Sequence, residues 1–395
     1  MELSLNLFQT MALACGVFYL GAFLKSKVEV FQKYCIASPV IGGIIFALLN
    51  LVLHQTGILN LTIDSSLQTV FMNAFFTSVG VGAGFAMIKQ GGKKLLVFLV
   101  MIALLGILQT VVAAGLCKVF GLDSLLGIAM GTMSLTGGHG TSAAFAPLLE
   151  ERGVIGATTI AVAAATYGLV AGNVIGNPLA VSHIRKLGLH STDDGADSVV
   201  IETGVDEGAT LDSSRGTLGV ALLFVALGFG TLISLLFDLF HITFASYVGA
   251  MIVGIIIRNV CDAHGVKLPL KDIATTGDIC LNFFLSLAMM GLQLYQLIDL
   301  ALPMIVILLV NTIVTGLFIY FVEFKAMGGD YDAAVLSSGH TGFGLGATPN
   351  AMANMDALTS EFGPSEKAYL IVPICGGFFT DIINAFLITF FMNVL

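Results

Sequence analysis

Scanned for hydropathy alone, the chain alternates between apolar runs long enough to cross a bilayer and short polar joints. Such a run needs roughly 17–25 residues. The first half holds them at 7–24, 35–53, 67–88, 95–119 and 155–181, the second at 217–240, 244–260, 276–298, 301–324 and 366–392. Two further apolar stretches, 122–149 and 331–358, are interrupted by Gly, Ser, Thr and His. Ser134–Phe145 reads SLTGGHGTSAAF, and Ser337–Asn350 reads SSGHTGFGLGATPN. A glycine costs about 1 kcal/mol in a helix interior, and serine and threonine compete there for backbone hydrogen bonds. Both stretches are therefore expected to break. Non-helical backbone at membrane depth survives only where protein buries it or where it lines a watery cavity. Breaks at matching positions of two halves are the best sequence pointer to a transporter's binding site.

The halves do match. GLDSLLGIAMGTMSLTGGHGT (121–141) aligns without gaps with GGDYDAAVLSSGHTGFGLGAT (328–348) at an offset of 207. Gln109-Thr110-Val111 resembles Asn311-Thr312-Ile313, and Gly168 and Asn173 fall opposite Gly376 and Asp381. Five full spans per half, with the N-terminus outside, put 14 of the 16 basic residues on the cytoplasmic side, leaving only Lys118 and Arg152 outside. The positive-inside rule selects that arrangement. An odd number of spans then inverts the second half. The expected fold is an all-α polytopic membrane protein of two inverted-topology repeats, each with five spans and one broken re-entrant segment. Residues 1–181 form the first repeat, 182–216 a polar cytoplasmic linker, and 217–395 the second repeat, with both termini outside.

Composition sharpens this picture. Hydrophobic residues make up 57% and charged residues 10%, with mean hydropathy +0.97. Soluble domains carry about 25% charged residues, so there is no room for a large soluble domain. Net charge is −9, but seven acids (Asp193, Asp194, Asp197, Glu202, Asp206, Glu207 and Asp212) sit in the linker, the make-up of a solvated, flexible segment. Nucleic acid is excluded as a partner, and the lipid bilayer is implied. The six cysteines show no metal or redox spacing and read as small apolar packing residues. No basic residue precedes the segment at 7–24, which reads as a retained span, not a cleaved signal. Trp is absent, leaving interfacial anchoring to Tyr and Lys.

Chemistry concentrates in the breaks. Ser134, Gly137, Gly138, His139, Gly140 and Thr141 in the first, and Ser338, Gly339, His340, Gly342, Gly344, Gly346 and Thr348 in the second, are candidate substrate contacts. Helix N-termini facing a break attract a carboxylate and C-termini a cation. The bland reading of the glycines is a tight helix crossing. Each histidine could donate to a carboxylate, relay a proton or simply tie loop backbone together. Asp381 reads as the only acid well inside a full span, and intramembrane acids are functional by default. A sodium ion or a proton would neutralise it. Thr380, Asn384 and, from the equivalent place in the first half, Asn173 and Asn177 could add oxygen atoms. Asp381 is thus the one candidate for a metal-binding carboxylate. Pro147 and Pro349 follow the breaks, and the Phe-rich stretches read as packing. No nucleophile–base pair, metal cluster or phosphate loop is present, which excludes the common enzyme classes.

LTGGHGT (135–141), SPVIGG (38–43), DYDAAVL (330–336), GHTGFGLGATPNAMANM (339–355), FGPSEKAYLIVP (362–373) and FTDIINAF (379–386) resemble the bacterial sodium/glutamate symporters. That resemblance implies sodium-coupled uptake of glutamate, sodium as coupling ion with no other cofactor, and a homodimer in the bacterial inner membrane. The residues alone imply a secondary transporter of a small anion with a cation. Proton coupling, another dicarboxylate, a channel on the same plan and a non-transporting scaffold are the alternatives they leave open.

Overall fold

The computed structural model describes residues 2–33, 36–56, 60–191, 213–239, 247–292 and 300–395. Most of the expected linker, with its seven acids, and Cys35 lie outside them. In chain order a short strand β1 (Glu2–Leu5) leads into α1 (Leu7–Lys27), α2 (Glu29–Lys33), α3 (Ser38–Gln55), strand β2 (Asn60–Ile63), α4 (Ser66–Gly82) and α5 (Phe85–Val119). The first broken segment is α6 (Leu126–Ala129), α7 (Thr132–Leu135) and α8 (Gly138–Glu151), followed by the long α9 (Ala157–Leu187). After the linker come α10 (Ser213–Leu239), α11 (Tyr247–Ala263), α12 (Leu270–Met290) and α13 (Ala301–Phe318). A π-turn (Ile319–Glu323) joins α13 to α14 (Phe324–Ala326). The second broken segment is α15 (Tyr331–Leu345) and α16 (Thr348–Phe362), and a second π-turn (Cys375–Phe379) separates α17 (Glu366–Ile374) from α18 (Thr380–Val394).

Among the described residues the expected spans fall on helices joined by turns and short irregular stretches, and the β1–β2 pair is parallel with Leu5 opposite Ile63. Among the described residues, eight helices are long and apolar enough to cross a membrane. The other two, α4 and α11, have 17 described residues each, and α4 ends short of the expected residue 88 because the chain turns at Ala83–Gly84.

The chain forms two compact units, Met1–Gly84 with Gly204–Leu300 and Phe85–Thr203 with Ala301–Leu395. Each therefore takes one stretch from before the linker and one from after it. In the first unit, helices approach through small residues. A Cβ at Gly42 would fall 1.9 Å from the Val17 carbonyl oxygen, and one at Gly80 would fall 2.3 Å from that of Met251. Phe76 stacks on Tyr247 at 3.7 Å. Outward residues such as Phe8, Tyr19 and Phe23 stay exposed, the pattern of a lipid-facing surface.

The second unit holds both broken segments. Its core joins Leu95, Phe98 and Ile102 of α5, Phe343 of α15, and Ile371 and Val372 of α17. α9 runs against α15 along Gly168, Gly172 and Gly176, one helical turn apart. A Cβ at Gly168 would lie 1.9 Å from the Leu345 carbonyl oxygen. Close backbone approach through small residues is the usual way to pack helices in a bilayer.

Candidate functional site

An aspartate stands just ahead of the first helix of each broken segment. Asp123 accepts a hydrogen bond from the Leu125 amide at 2.9 Å, and Asp330 accepts one from the Ala333 amide at 2.8 Å. These residues stand 207 apart, the offset of the sequence repeat. Asp330 caps α15 and satisfies an amide that its first turn leaves free, whereas Asp123 closes a turn ahead of α6.

The chain then breaks in two different ways. In the first segment Gly138 has φ +65°, and α8 starts from it. In the second, α15 stops at Leu345, Gly346 (φ −139°, ψ −101°) leaves helical geometry, Ala347 is extended, and α16 restarts at Thr348–Pro349. The two breaks touch. A Cβ at Gly138 would lie 3.2 Å from the Gly346 carbonyl oxygen. Buried Gln109 of α5 donates from Nε2 to the Gly344 carbonyl at 2.8 Å and to Thr315 Oγ1 of α13 at 3.2 Å. The Thr136 hydroxyl lies 2.8 Å from Gln109 Oε1 and 3.1 Å from the same Gly344 carbonyl, and its one proton can serve either.

Side chains are also exchanged reciprocally. Thr132 of the first broken segment donates to Asn384 Oδ1 of α18 at 2.6 Å. Ser338 of the second donates to Asn177 Oδ1 of α9 at 2.7 Å. Asn177 and Asn384 stand 207 apart, Thr132 and Ser338 206 apart. Gln109 holds a carbonyl of the second broken segment. Asn311, its counterpart on α13, donates to the Met130 carbonyl of the first at 3.2 Å.

The remaining candidates fall around this junction. Ser134 donates to the Ala129 carbonyl and lies 3.0 Å from Ser142 Oγ. His139 Nε2 meets Thr166 Oγ1 of α9 at 2.9 Å. Thr141 is buried beside Gly137, and Gly140 is half-buried in the first turn of α8. Gly339 packs against Met355 and Val372, Gly342 against Ala351, and Gly344 against His340. A Cβ at Gly376 would sit 3.2 Å from Thr348 Oγ1. His340 turns to Glu323 of the π-turn instead of toward the first break.

Three of the five candidate cation ligands make a side-chain hydrogen bond that leaves their oxygen a lone pair. The Thr380 hydroxyl donates to the Cys375 carbonyl at 2.8 Å. Asn384 and Asn177 accept from Thr132 and Ser338, while Asn173 lies one turn before Asn177 on α9, half-buried. Asp381 is half-buried, and among the described residues no hydrogen bond or ion pair reaches its carboxylate. Nor is it the only acid inside a span. Glu323 is wholly buried, although its place beside Lys325 at the end of an apolar run suggests an interfacial charge. Gln109, Thr132, Thr136 and Glu323 join the site's inventory from the structure. Gln109 left a signal in its repeat match with Asn311, and Thr132 and Thr136 lie in the aligned stretch 121–141, while Glu323 left none.

Chemically, the N-termini of α8 and α16 supply amides for a carboxylate, and the C-terminus of α15 supplies carbonyls for a cation. The family model described as sodium/glutamate symporter matches residues 3–364. A sodium/glutamate symporter of Escherichia coli is 38% identical over 395 residues, 98% of each chain. One from Haemophilus influenzae is 37% identical over 393 residues, 98% of this chain and 97% of its own. Among solved structures, a sodium proton antiporter from Methanocaldococcus jannaschii covers 98% of each chain at 13% identity and TM-score 0.43.

Proposed function

The chain belongs to the sodium/glutamate symporter family, whose members are transporters and not enzymes, and from that premise we propose that it carries glutamate together with sodium into a bacterial cell by alternating access. Glutamate binds where the two breaks meet. Its carboxylates face the amides that open α8 and α16, and the substrate contacts are the candidates of the two broken segments, Ser134–Thr141 and Ser338–Thr348. The approach of Gly138 to the Gly346 carbonyl carries this assignment, because it puts both sets of free backbone groups in one place. Sodium is the coupling ion, with no other cofactor, and Asp381 supplies its charge.

The proposal includes two inverted repeats, each with a re-entrant broken segment. The reciprocal bonds Thr132–Asn384 and Ser338–Asn177 support it, since a two-fold relation between the halves makes each repeat bond the other's broken segment at equivalent positions. It also includes both termini outside and a homodimer in the inner membrane, which rest on the distribution of basic residues and on the family resemblance.

Labelled glutamate uptake into proteoliposomes tests the function. A sodium gradient should drive accumulation above equilibrium, and a proton gradient of equal size should not. Uptake without accumulation would mean a channel. Accumulation indifferent to sodium would mean another coupling ion.

A further inference from the structure

The histidine of the first break bonds a threonine, whereas that of the second bonds a carboxylate. His340, wholly buried on α15, has Nδ1 2.5 Å from Oε2 of Glu323, also wholly buried. Glu323 closes the π-turn Ile319–Glu323. Phe321 and Val322 beside it are exposed on the outer face, while Glu323 points into the protein. Single π-turns occur often at functional sites. Glu323 Oε1 and His340 Nε2 have no hydrogen-bond partner among the described residues, and neither has Ser337 Oγ one turn before His340. Phe98 meets the imidazole edge-on at 5.2 Å, and Phe343 stacks on it at 4.7 Å.

Charges on the elements packed around α15 are engaged elsewhere. On α5, Lys94 binds Asp330 and approaches Asp332, and Lys93 is exposed. On α9, His183 lies between Tyr320 and Phe324, Lys186 bonds the Tyr320 hydroxyl, and Arg185 binds Glu361 of α16. Asp356 of α16 accepts from Tyr369, Lys367 of α17 binds Asp332, Glu366 is half-buried in the first turn of α17, and Lys325 is exposed. Among the described residues, no further ion pair reaches Glu323 or His340.

A carboxylate beside a neutral imidazole carries one net negative charge. With one more proton the pair is neutral, whether that proton sits on Oε2 or on Nδ1. A net charge left unpaired in a low-dielectric interior costs several kcal/mol. We propose that Glu323 and His340 form a proton-binding site within the second broken segment. The pair holds one proton beyond the one a neutral imidazole carries, and releases it to water as pH rises. Sodium fits less well, because hard cations take oxygen ligands and only Glu323 Oε1 and Ser337 Oγ have a free oxygen here. The charge state reaches the break directly, since a Cβ at Gly344 would lie 3.1 Å from His340 Cδ2 and the Gly344 carbonyl is held by Gln109.

Proton binding stands independently of the transport reading, while its effect on uptake rests on that reading. Infrared difference spectra of the purified full-length protein between about pH 6 and about pH 9 should show a carboxyl or imidazolium band. Glu323→Gln should abolish it, and Asp381→Asn should retain it. Sodium-driven glutamate uptake should fall about fivefold across that range in the wild type and less than about twofold in Glu323→Gln, whose amide keeps the pair neutral throughout. Identical spectra and identical pH profiles in wild type and Glu323→Gln would overturn the proposal. If Glu323→Gln does not assemble, the spectra of the wild type and Asp381→Asn decide, and the absence of such a band from Asp381→Asn overturns it. If neither protein transports glutamate, the function reading fails while the spectra still decide the proton site.

Discussion

The two breaks carry similar residues but are made by different physics. The first turns on backbone conformation, because Gly138 adopts φ +65°, which costs a residue with a Cβ about 1–2 kcal/mol. The second turns on space. Gly346 has a φ open to any residue, yet a Cβ there would fall 2.7 Å from the Gly342 carbonyl oxygen. Their histidines diverge as well, one toward Thr166 and the other toward Glu323. A repeated motif therefore does not imply repeated mechanics. Matching glycines bring matching backbone to one junction, and the residues around each then set what that side can do.

The sharpest test of this contrast is Gly138→Val. It combines the left-handed φ with a branched side chain aimed at the Gly346 carbonyl, and should lower glutamate uptake at least about tenfold while the protein still reaches the membrane. Normal uptake by this variant would show that the first break is not part of the site.

Next in size is Asp381→Asn, which keeps the shape of the side chain and removes its charge. The sodium concentration for half-maximal uptake should rise about tenfold, and by reciprocal linkage glutamate affinity should become less sensitive to sodium. Exchange and net uptake, measured separately, would reveal a variant stalled in its return step. Unchanged sodium dependence in both assays would make Asp381 structural.

A smaller effect separates the reciprocal bonds. Asn384→Ala strands the buried Thr132 hydroxyl, and Asn177→Ala strands that of Ser338. Each loss should cost about 1–3 kcal/mol, measured as the unfolding transition in detergent. Asn384→Ala should be the worse of the two, because Asn384 is buried and Asn177 half-buried. Equal stability of both variants and wild type would deprive the two-fold reading of its main support.

The smallest expected effect is at the entrance to the second broken segment. Burial works against the charge on Asp330, but Lys94, the Ala333 amide and Lys367 together outweigh it and hold the carboxyl below its ordinary range. A carboxyl held low stabilises the fold above its ordinary pKa, and that contribution is lost as pH falls through the folded value. Both partners are at least a third exposed, so Lys94→Ala should cost under about 1 kcal/mol and narrow the stability gap between neutral and acid pH. A larger loss would mean that this ion pair anchors α15.

Hydropathy by itself determined where the spans lie, because a bilayer demands roughly 20 consecutive apolar residues and the joints are too polar to enter it. The glycine and hydroxyl clusters marked both breaks for a similarly local reason: their residues resist continuous helix whatever surrounds them. The 207-residue offset even paired Asp123 with Asp330, each of which takes a backbone amide two or three residues on. Contact between the breaks was not legible, because Gly138 and Gly346 stand 208 residues apart (346 − 138) and no local preference encodes that approach. The same holds for the partners of Asn177 and Asn384, which sequence offered as cation ligands and the fold binds to Ser338 and Thr132. Glu323 is the extreme case. One residue inserted in a π-turn rotates it from the end of an apolar run into the interior, where it meets His340. Hydropathy registers which residues are present, but the direction in which a helix face points is decided only when the helices pack.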